Sequence, residues 1–450
     1  MAILDEKDLT RLDKYRHILD RLDPLRPMGR VVEVRGLSLI SDGPPDASIG
    51  DICRVAVKSG DYIRAEVVGF QKDRLVLMPL GGTAGISPSA DVLASGRRMQ
   101  IAVSEKMLGR VFDALGHPLD MKEGITSSEE RFHEGEPPSP HVRVPIRTPL
   151  ETGVRAIDGL LTIGRGQRIA LMAGTGVGKS TLLGMICRYT RADINIVCLV
   201  GERGREVREF IENDLGEGLE KSVVFVAESH RTAMEKVYCA GFATSVAEYF
   251  RDKGKHVNLI VDSLTRYCWA LRDIGTASGE MLGPGGFPPN VWAKLSKLVE
   301  RAGVTHEGSI TGFYSVLVEG DDLNEPVTDH ARGMLDGHIV LSRRLAERGH
   351  YPAIEVTQSI SRVMDKVISP EHLQDASRMK TLLSAYRENE ELLNLGAYAR
   401  GSNVDLDEYL DKASAIQGYL RQRVEEGVHI EDSVARLSDI IRPKIVEEAY

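Results

Sequence analysis

Residues 167–181 read Gln-Arg-Ile-Ala-Leu-Met-Ala-Gly-Thr-Gly-Val-Gly-Lys-Ser-Thr, and this stretch decides the fold of the domain that contains it. The apolar run 169–172 predicts a buried strand, the glycines after it predict a loop, and a helical pattern of apolar residues begins at Thr181. A strand, a glycine-rich loop and a helix in this order form a phosphate cradle, because loop amides and the helix N-terminus face the phosphates. The stretch therefore predicts a nucleoside triphosphate site.

The loop and the first helical residues carry the groups that such a cradle needs. Lys179 is expected to reach the outer phosphates, and the Ser180 hydroxyl is expected to ligand Mg²⁺. The strict pattern has glycine where this chain has Ala173, but alanine costs little there if φ stays negative. The predicted nucleotide-binding residues of this stretch are Gly174, Thr175, Gly176, Val177, Gly178, Lys179, Ser180 and Thr181.

The composition is that of an ordinary globular protein and restricts the function classes. A net charge of −9 and an aromatic content of 5% argue against broad coating of nucleic acid and offer few platforms for base stacking. The N-terminus lacks an apolar signal core and no apolar run reaches membrane-spanning length, so the expected location is the cytosol unless a partner carries the chain to a membrane. The five cysteines, without CxxC spacing, are expected to be buried free thiols.

The hydrophobic pattern predicts four regions. Residues 1–25 form an amphipathic helix, which either packs on its own domain or docks on a partner or a membrane surface. Short strands separated by turns predict a small antiparallel β-barrel over 26–95. Alternating strands and helices predict an α/β nucleotide-binding ATPase domain over 96–368, P-loop (RecA-like), with a mostly parallel sheet covered by helices on both faces. Beyond this region only helices are predicted, so 369–450 is expected to be a C-terminal helical domain.

Charged residues that follow the predicted strands are the candidates for chemistry. Asp262 ends an apolar strand and is the candidate for holding the Mg²⁺ shell opposite the Ser180 hydroxyl. Glu202 follows the predicted strand 194–200, in the crevice where α/β sheets bind ligands, and is the candidate for polarising the attacking water. Arg362 is the candidate arginine finger, although nothing in its own stretch separates it from an ordinary surface arginine.

Several longer motifs accompany the loop: 173–180 Ala-Gly-Thr-Gly-Val-Gly-Lys-Ser, 201–210 Gly-Glu-Arg-Gly-Arg-Glu-Val-Arg-Glu-Phe, 262–266 Asp-Ser-Leu-Thr-Arg, 287–289 Phe-Pro-Pro, 298–303 Leu-Val-Glu-Arg-Ala-Gly and 350–354 His-Tyr-Pro-Ala-Ile. With these motifs the chain, from about residue 25 to its C-terminus, resembles the rotary ATP synthase catalytic-head family. Within that family it is most similar to the ATPases of type III protein secretion and flagellar export.

The resemblance implies a role for each matching residue. Lys179, Ser180, Glu202 and Asp262 take the roles argued above. Arg203, which follows the catalytic glutamate in the family, is expected beside the phosphates. Tyr351 falls where the family stacks an aromatic ring on adenine, and Arg362 falls where the family has its trans-acting arginine. Because one chain carries the lysine, the glutamate and the arginine together, six identical copies could form a complete ring.

The function implied by the resemblance is Mg²⁺-dependent ATP hydrolysis that powers or gates type III protein export. The loop motif 174–180 is most similar to flagellar members, so the implied use is flagellar protein export. The implied cofactors are ATP and Mg²⁺, and the implied assembly is a homohexamer. The implied partners are central-stalk and stator or regulator proteins, export chaperone–substrate complexes, and an export gate at the inner membrane. The implied location is cytoplasmic, at the cytoplasmic face of that membrane, and no nucleic-acid partner is expected.

Three other uses of the same ATPase core remain open. The first is an injectisome type III secretion ATPase, because the stretches 228–235 and 247–252 are similar to injectisome members. The second is the catalytic subunit of a rotary ATP synthase, which a single-chain arginine finger disfavours. The third is an RNA translocase of the termination-factor type, which the acidic net charge disfavours. A scaffold that binds nucleotide without catalysis is disfavoured by Glu202.

One loop departs from the family pattern. Members commonly have Gly-Glu-Pro-Pro after the Asp-Ser-Leu-Thr-Arg helix, whereas residues 279–289 of this chain read Gly-Glu-Met-Leu-Gly-Pro-Gly-Gly-Phe-Pro-Pro. The family handles its central stalk at the inner face of the ring, where this loop is expected. Coupling to a stalk is therefore the implied function that this departure affects most.

Overall fold

The computed structural model describes residues 27–318, 320, 322 and 324–442. The amphipathic helix predicted over 1–25 lies outside the described residues. The chain divides into two compact units, and the boundary between them in the sequence falls between Met99 and Gln100. Within the described residues no helix is both long enough and apolar enough to span a membrane.

The first unit is a closed antiparallel β-barrel, which confirms the fold predicted for this region. Its strands, in the order β1-β2-β5-β4-β3-β6, are β1 Met28–Arg35, β2 Ser38–Ser41, β3 Ile52–Ala56, β4 Tyr62–Gln71, β5 Arg74–Pro79 and β6 Asp91–Ala94. The two strands that the pattern did not predict, β2 and β6, have four residues each, too few to show an alternation. Pairing of β1 with β6 closes the barrel and leaves no open edge.

The second unit contains a large sheet whose central strands are parallel. The strands of the second unit are β7 Gln100–Ala102, β8 Arg110–Asp113, β9 Glu130–Phe132, β10 Pro149–Leu150, β11 Ile163–Gly164, β12 Arg168–Ala173, β13 Ile194–Glu202, β14 Ser222–Glu228, β15 His256–Asp262, β16 Gly303–Val304, β17 Ser309–Leu317, β18 Gly337–Leu341 and β19 Ile360–Ser361. The order in the large sheet is β19-β18-β12-β17-β15-β13-β14-β8, and β16 pairs with β17. Within the large sheet, only the pairs β18–β19 and β16–β17 are antiparallel among the strands that the structure describes.

Helices cover both faces of this sheet, as predicted. The α-helices of the second unit are α1 Arg155–Leu160, α2 Lys179–Tyr189, α3 Gly204–Glu209, α4 Ala233–Asp252, α5 Leu264–Ser278, α6 Pro289–Val299, α7 Pro326–Met334, α8 Arg343–Glu347, α9 Met364–Val367, α10 Pro370–Asn394, α11 Val404–Leu420 and α12 Ile430–Ile441. Along β13 the side chains alternate: Val197 and Leu199 join the core that contains α2, whereas Cys198 Sγ lies 3.4 Å from Cys239 Sγ of α4. Strands buried on both faces explain why their sequences are continuously apolar.

The C-terminal helices α10, α11 and α12 form the helical region that the sequence predicted. Their apolar side chains belong to the same hydrophobic core as α1, α2 and β12. The buried Arg155 of α1 donates hydrogen bonds to the carbonyl oxygens of Gly418, Tyr419 and Arg421 at the end of α11. The core is therefore continuous along this part of the chain, and the predicted domain boundaries at 95/96 and 368/369 stay predictions.

Several helices differ from their predicted bounds; the helix predicted over 264–274, for example, continues to Ser278. Two of these differences concern the region around the glycine loop. The helix predicted over 205–214 is α-helical only as far as Glu209 and then widens into a π-helical turn, Phe210–Leu215. The helix after the glycine loop begins at Lys179, two residues before the predicted start at Thr181. The apolar pattern misses these first residues because the first turn of a helix is often polar.

A buried ion pair gives a test of the fold. Arg301 is 2% exposed and donates to both Glu248 carboxylate oxygens, at 2.9 and 2.6 Å, and to Ser245 Oγ at 2.7 Å. Arg301→Ala is expected to destabilise the chain by about 3–5 kcal/mol, because it leaves a buried carboxylate without its partner. Arg400→Ala, which breaks the exposed pair with Asp411, should cost about 1 kcal/mol or less. Denaturant unfolding followed by circular dichroism measures both, and equal losses would contradict this assignment.

Candidate active site

The glycine-rich loop lies between the carboxyl end of β12 and the start of α2, at the edge where parallel strands end. Gly178 caps the helix with φ 90° and Gly176 has φ 77°, a left-handed conformation that glycine adopts without strain. The amide groups of the first turn of α2 have no partner within the helix, as in every helix. They point toward the N-terminal end of α2, where the glycine-rich loop joins it. The predicted phosphate cradle therefore has the backbone geometry that it requires.

Ala173, the departure from the strict glycine pattern, is an ordinary strand residue. It ends β12 and pairs in parallel register with Leu317 of β17 and Leu341 of β18. It is not among the described residues with positive φ. A side chain at this position therefore introduces no backbone strain, as the sequence argument assumed.

The sheet brings together three of the predicted catalytic and metal-binding residues. Lys179 Nζ forms an ion pair with the carboxylate of Asp262 and lies 3.9 Å from Glu202 Oε1. Glu202 ends β13 and Asp262 ends the neighbouring β15, and both are parallel to β12 through β17. Since the carboxyl ends of parallel strands meet at one edge, residues that lie 83 positions apart in the chain become neighbours.

The environment of Glu202 raises the pKa of its carboxyl group to about 7. Burial is the largest cause, and the negative charge of Asp262 acts in the same direction, whereas Lys179 and Arg266 lower the pKa. A carboxylate with a pKa near the working pH is suited to exchange a proton with water. The sequence identified the residue, but its pKa follows from the depth at which the sheet places it.

Two residues of the site were not among the predicted site residues. Arg266 Nη1 lies 3.1 Å from Glu202 Oε1, and the same guanidinium donates to the carbonyl oxygen of Gly201. Ser315 Oγ of β17 donates to Asp262 Oδ1 at 2.5 Å. Arg266 could have been found, because it lies one helical turn after the strand-end carboxylate. Ser315 carries no such signal, because its contact depends on which strand lies beside β15.

The remaining predicted residues of the loop and its surroundings differ in their exposure and in their contacts. Val177 is buried and Thr175 is exposed. The Tyr351 ring flanks the loop, 3.5 Å from the position that a Cβ on Gly178 would take. The side chain of Arg203 is 79% exposed and reaches only Glu206 Oε1, at 3.7 Å, among its ion-pair partners in the described chain. Gly174, Gly176, Ser180 and Thr181 complete the stretch from the strand to the first helical turn.

Arg362 is the one predicted catalytic residue that the fold keeps away from the loop. Its backbone amide donates to the Asp336 carbonyl oxygen at 2.9 Å, and Asp336 in turn accepts from the amide of Arg168 at 3.0 Å. Arg168 begins β12, whereas the loop follows the other end of this strand. At about 3.3 Å per residue the two ends of β12 are ~17 Å apart. The exposed Arg362 therefore lies at the opposite edge of the sheet from the loop of its own chain.

A glycine loop at a helix N-terminus, a lysine paired with a strand-end aspartate, and a buried glutamate beside them define a P-loop nucleotide hydrolase with a RecA-like core. Family models match three parts of the chain. Residues 31–96 match the ATP synthase alpha/beta family β-barrel domain, and residues 153–361 match the nucleotide-binding domain of that family. Residues 368–439 match the T3SS EscN ATPase C-terminal domain.

Known proteins match over almost the whole length. The flagellum-specific ATP synthase of Bacillus subtilis (strain 168) is 47% identical over 425 residues, which cover 94% of this chain and 97% of that protein. The assembled ATPase EscN from the enteropathogenic E. coli type III secretion system is 42% identical, with a TM-score of 0.87, and the match covers 92% of this chain and 100% of EscN. EscN in complex with its central stalk EscO is 41% identical, with a TM-score of 0.83 and the same coverage.

The chain belongs to the ATP synthase alpha/beta family, in the group of flagellum-specific and type III secretion ATPases. This membership confirms the resemblance, the fold class and the prediction that the chain is an ATP-hydrolysing enzyme. The matching relatives are flagellar and type III secretion ATPases, in agreement with the predicted function in protein export.

Proposed function

We propose that this chain is a Mg²⁺-dependent ATPase whose hydrolysis powers or gates flagellar protein export. The observation that carries the proposal is the meeting of Lys179, Glu202 and Asp262 at the carboxyl edge of the sheet, directly in front of the glycine loop. In this arrangement a cation for the phosphates, a carboxylate for a metal ion and a carboxylate for water share one site.

Nucleotide binding uses the loop and the tyrosine beside it. The amides of 174–181 surround the phosphates, and the Lys179 ammonium exchanges its contact with Asp262 for the outer phosphate oxygens. The Tyr351 ring, which flanks Gly178, stacks on the adenine. Arg203 at the start of α3 is free to turn its exposed guanidinium toward the phosphates.

The donor set beside Lys179 fits Mg²⁺. Asp262 is buried at the end of β15, and Ser180 follows Lys179 directly in the chain. A carboxylate oxygen and a hydroxyl oxygen are therefore available, and oxygen atoms are the ligands that Mg²⁺ prefers. The Ser315 hydroxyl orients the Asp262 carboxylate. When bound, the ion supplies charge neutralisation between the phosphates. Ser180 and Asp262 are the residues that would hold it.

Hydrolysis depends on the ionised Glu202 and on a second chain. Glu202 accepts a hydrogen bond from water and orients it toward the outer phosphate. Arg362 cannot reach this site from its own chain, so the guanidinium is supplied by the adjacent subunit of a homohexamer. The relative EscN is an assembled ATPase, which supports a ring.

Partners and location follow from the same proposal. A central stalk protein is one proposed partner, since the relative EscN forms a complex with its central stalk EscO. The loop over 279–289 is available to contact it, because Met281 is 86% exposed and Leu282 is also exposed. Stator or regulator proteins, export chaperone–substrate complexes and the export gate are the other proposed partners. They hold the cytoplasmic ATPase at the cytoplasmic face of the inner membrane.

The injectisome is the second candidate use, because EscN matches the chain at 42% identity. The flagellar use is preferred because the loop motif 174–180 is most similar to that of flagellar members. Sequence identity does not separate the two uses, since the flagellum-specific relative of Bacillus subtilis matches at 47% and the SPI-2 type 3 secretion system ATPase of Salmonella typhimurium at 46%. A rotary synthase subunit would co-purify with an ion-pumping membrane ring, and a termination-factor-type translocase would show hydrolysis stimulated by RNA.

Two measurements test the proposal. Purified chain should release phosphate from ATP in the presence of Mg²⁺ and lose this activity with EDTA, and it should not respond to RNA. The protein tagged in its native cell should co-purify with chaperones of rod and filament proteins. Capture of effector chaperones instead would assign it to an injectisome, and absence of Mg²⁺-dependent phosphate release would reject the enzyme.

Arg266 is expected to set the pH dependence of the reaction. Because Glu202 must be ionised, kcat/KM should rise with pH through about 7. Arg266→Ala removes a cation that lowers the pKa of Glu202, so the rise should move to higher pH. Arg266→Lys retains the charge and should shift the profile less. The measurement is kcat/KM from pH 5.5 to 9 for the unmodified chain and both variants. If Arg266→Ala lowered kcat/KM equally at every pH without shifting the profile, Arg266 would have a structural role instead.

A further inference from the structure

A cavity of about 420 Å³ lies in the second unit, between the segment that follows β18 and the C-terminal helices. One side is formed by residues of 344–357, and the other by residues of α10 and α11. Its lining includes His350 but not Tyr351, and none of the P-loop residues. A cavity of this size between two structural layers is typical of small-molecule sites.

The inner surface of the cavity is apolar and aromatic. Leu345, Ile354 and Leu383 contribute aliphatic side chains. Tyr386 and Tyr409 stack with their ring centroids 4.5 Å apart. Such a surface favours the flat or aliphatic body of an organic molecule.

The polar part of the lining is cationic. Arg344 and Arg348 share one carboxylate, that of Glu390, at 2.6 and 2.5 Å. Arg387 lies 3.9 Å from the Glu355 carboxylate. The fourth arginine, Arg421, is exposed and forms no ion pair within the described part of the chain. Four guanidinium groups therefore face two carboxylates, and the cavity has an excess of positive charge.

The positive charge of the lining also affects the pKa of His350. It is buried in the lining, and its pKa is lowered first by burial and then by the positive charge of Arg421. At neutral pH it is therefore uncharged and adds a polar imidazole rather than another cation. The attraction for an incoming anion therefore comes from the guanidinium groups rather than from His350.

We propose that this cavity binds a small amphipathic organic anion, with an aromatic or aliphatic body between Tyr386, Leu383 and Leu410 and a carboxylate, sulfonate or phosphate group at Arg421. Such a ligand would contact the segment that carries Tyr351 and the C-terminal helices at once. It would do so without occupying the nucleotide site. The proposal does not depend on the export function.

The test compares two fluorescent probes that differ in one group. The probes are 1-anilinonaphthalene-8-sulfonate and N-phenyl-1-naphthylamine, which has the same rings without the sulfonate. The whole chain is titrated with each probe in the presence of saturating ADP, which excludes binding at the nucleotide site. We expect saturable binding of one sulfonate probe per chain, with an affinity at least about tenfold higher than that of the neutral probe, as for one charge-assisted hydrogen bond.

Three variants locate the binding. Arg421→Glu should weaken the sulfonate probe by about tenfold or more and leave the neutral probe unchanged. Leu410→Trp, which fills the cavity, should abolish binding of both probes. Arg147→Glu, an exposed arginine outside the cavity, should change neither. Circular dichroism checks that each variant folds, and Arg421→Glu, at an exposed position, keeps the test valid if Leu410→Trp does not.

Two results would overturn the proposal. One is equal affinity for both probes with no effect of Arg421→Glu, which would leave the cationic lining without a role. The other is sulfonate binding that persists unchanged in folded Leu410→Trp, which would place the probe elsewhere.

Discussion

Arg362→Ala is expected to lower ATP turnover by about 10³- to 10⁵-fold while nucleotide affinity stays close to that of the unmodified chain, as for an arginine finger. The reason is that Arg362 lies at the strand-start edge of its own sheet, so that in the proposed ring it would contact the phosphates bound by the neighbouring subunit. An interaction made only in the transition state changes turnover and not binding. Steady-state hydrolysis and titration with a fluorescent ADP measure the two quantities separately.

Mixing inactive chains distinguishes a trans arginine from one that acts in its own chain. Glu202→Gln and Arg362→Ala subunits, mixed in equal amounts, should recover up to about a quarter of the normal activity, because that share of interfaces in a cyclic ring joins an intact Glu202 to an intact Arg362. A mixture of Glu202→Gln with Lys179→Ala is the matched control. Both lesions then lie on the same side of the interface, so no intact site can form. No recovery in the first mixture would refute the trans assignment.

Glu202→Gln is expected to reduce turnover by about 10²- to 10⁴-fold, as for loss of a general base. The amide keeps the shape of the side chain but cannot accept the proton. Lys179 is unchanged in this variant and can still contact the phosphates, so nucleotide affinity should be unchanged or higher. Lys179→Ala should lose both turnover and affinity, because its ammonium contacts the phosphates in the ground state as well.

A neighbouring carboxylate provides the control for Glu202. Glu228 ends β14 and is paired with Glu202 in the register of the sheet, but its partners are His230 and Arg231 rather than Lys179. Glu228→Gln should change turnover by less than about tenfold, because the ion pairs of Glu228 in the described chain involve neither Lys179 nor Arg266. The pH dependence offers a second readout. Activity that depends on an ionised Glu202 should fall as the pH is lowered through about 7, and this fall should be absent from the residual activity of Glu202→Gln.

Most of the fold was predictable from periodicity. Strands β12, β13, β14, β15 and β17 were predicted to within two residues of their observed bounds, because strands buried on both faces are continuously apolar. The short barrel strands β2 and β6 were not predicted, since four residues are too few for a pattern and are held in place by their partners in the barrel. The π-helical turn after Glu209 was also missed, because a helix of either kind gives the same apolar spacing over so few residues.

The candidate site was predictable where it consists of contiguous motifs. Lys179, Ser180, Glu202 and Asp262 were named from the loop and from the ends of two strands. Arg266 and Ser315 were not named as site residues. The spacing of Arg266, one helical turn after Asp262, could have indicated it, but its contact with Glu202 is made across the edge of the sheet. The contact of Ser315 with Asp262 depends on which strand lies beside β15, and local spacing carries no information about that.

The linear order of residues was sufficient for the chemistry of the cradle. A strand, a glycine at positive φ and a helix N-terminus are built from adjacent residues, and their hydrogen bonds and backbone angles follow from local physics. The folded chain was needed for everything that depends on neighbours in space. The strand order places Glu202 and Asp262 beside Lys179, the burial raises the pKa of Glu202, and the direction of β12 puts Arg362 at the far edge from its own loop. Strand order and burial arise from long-range packing, which no single segment encodes.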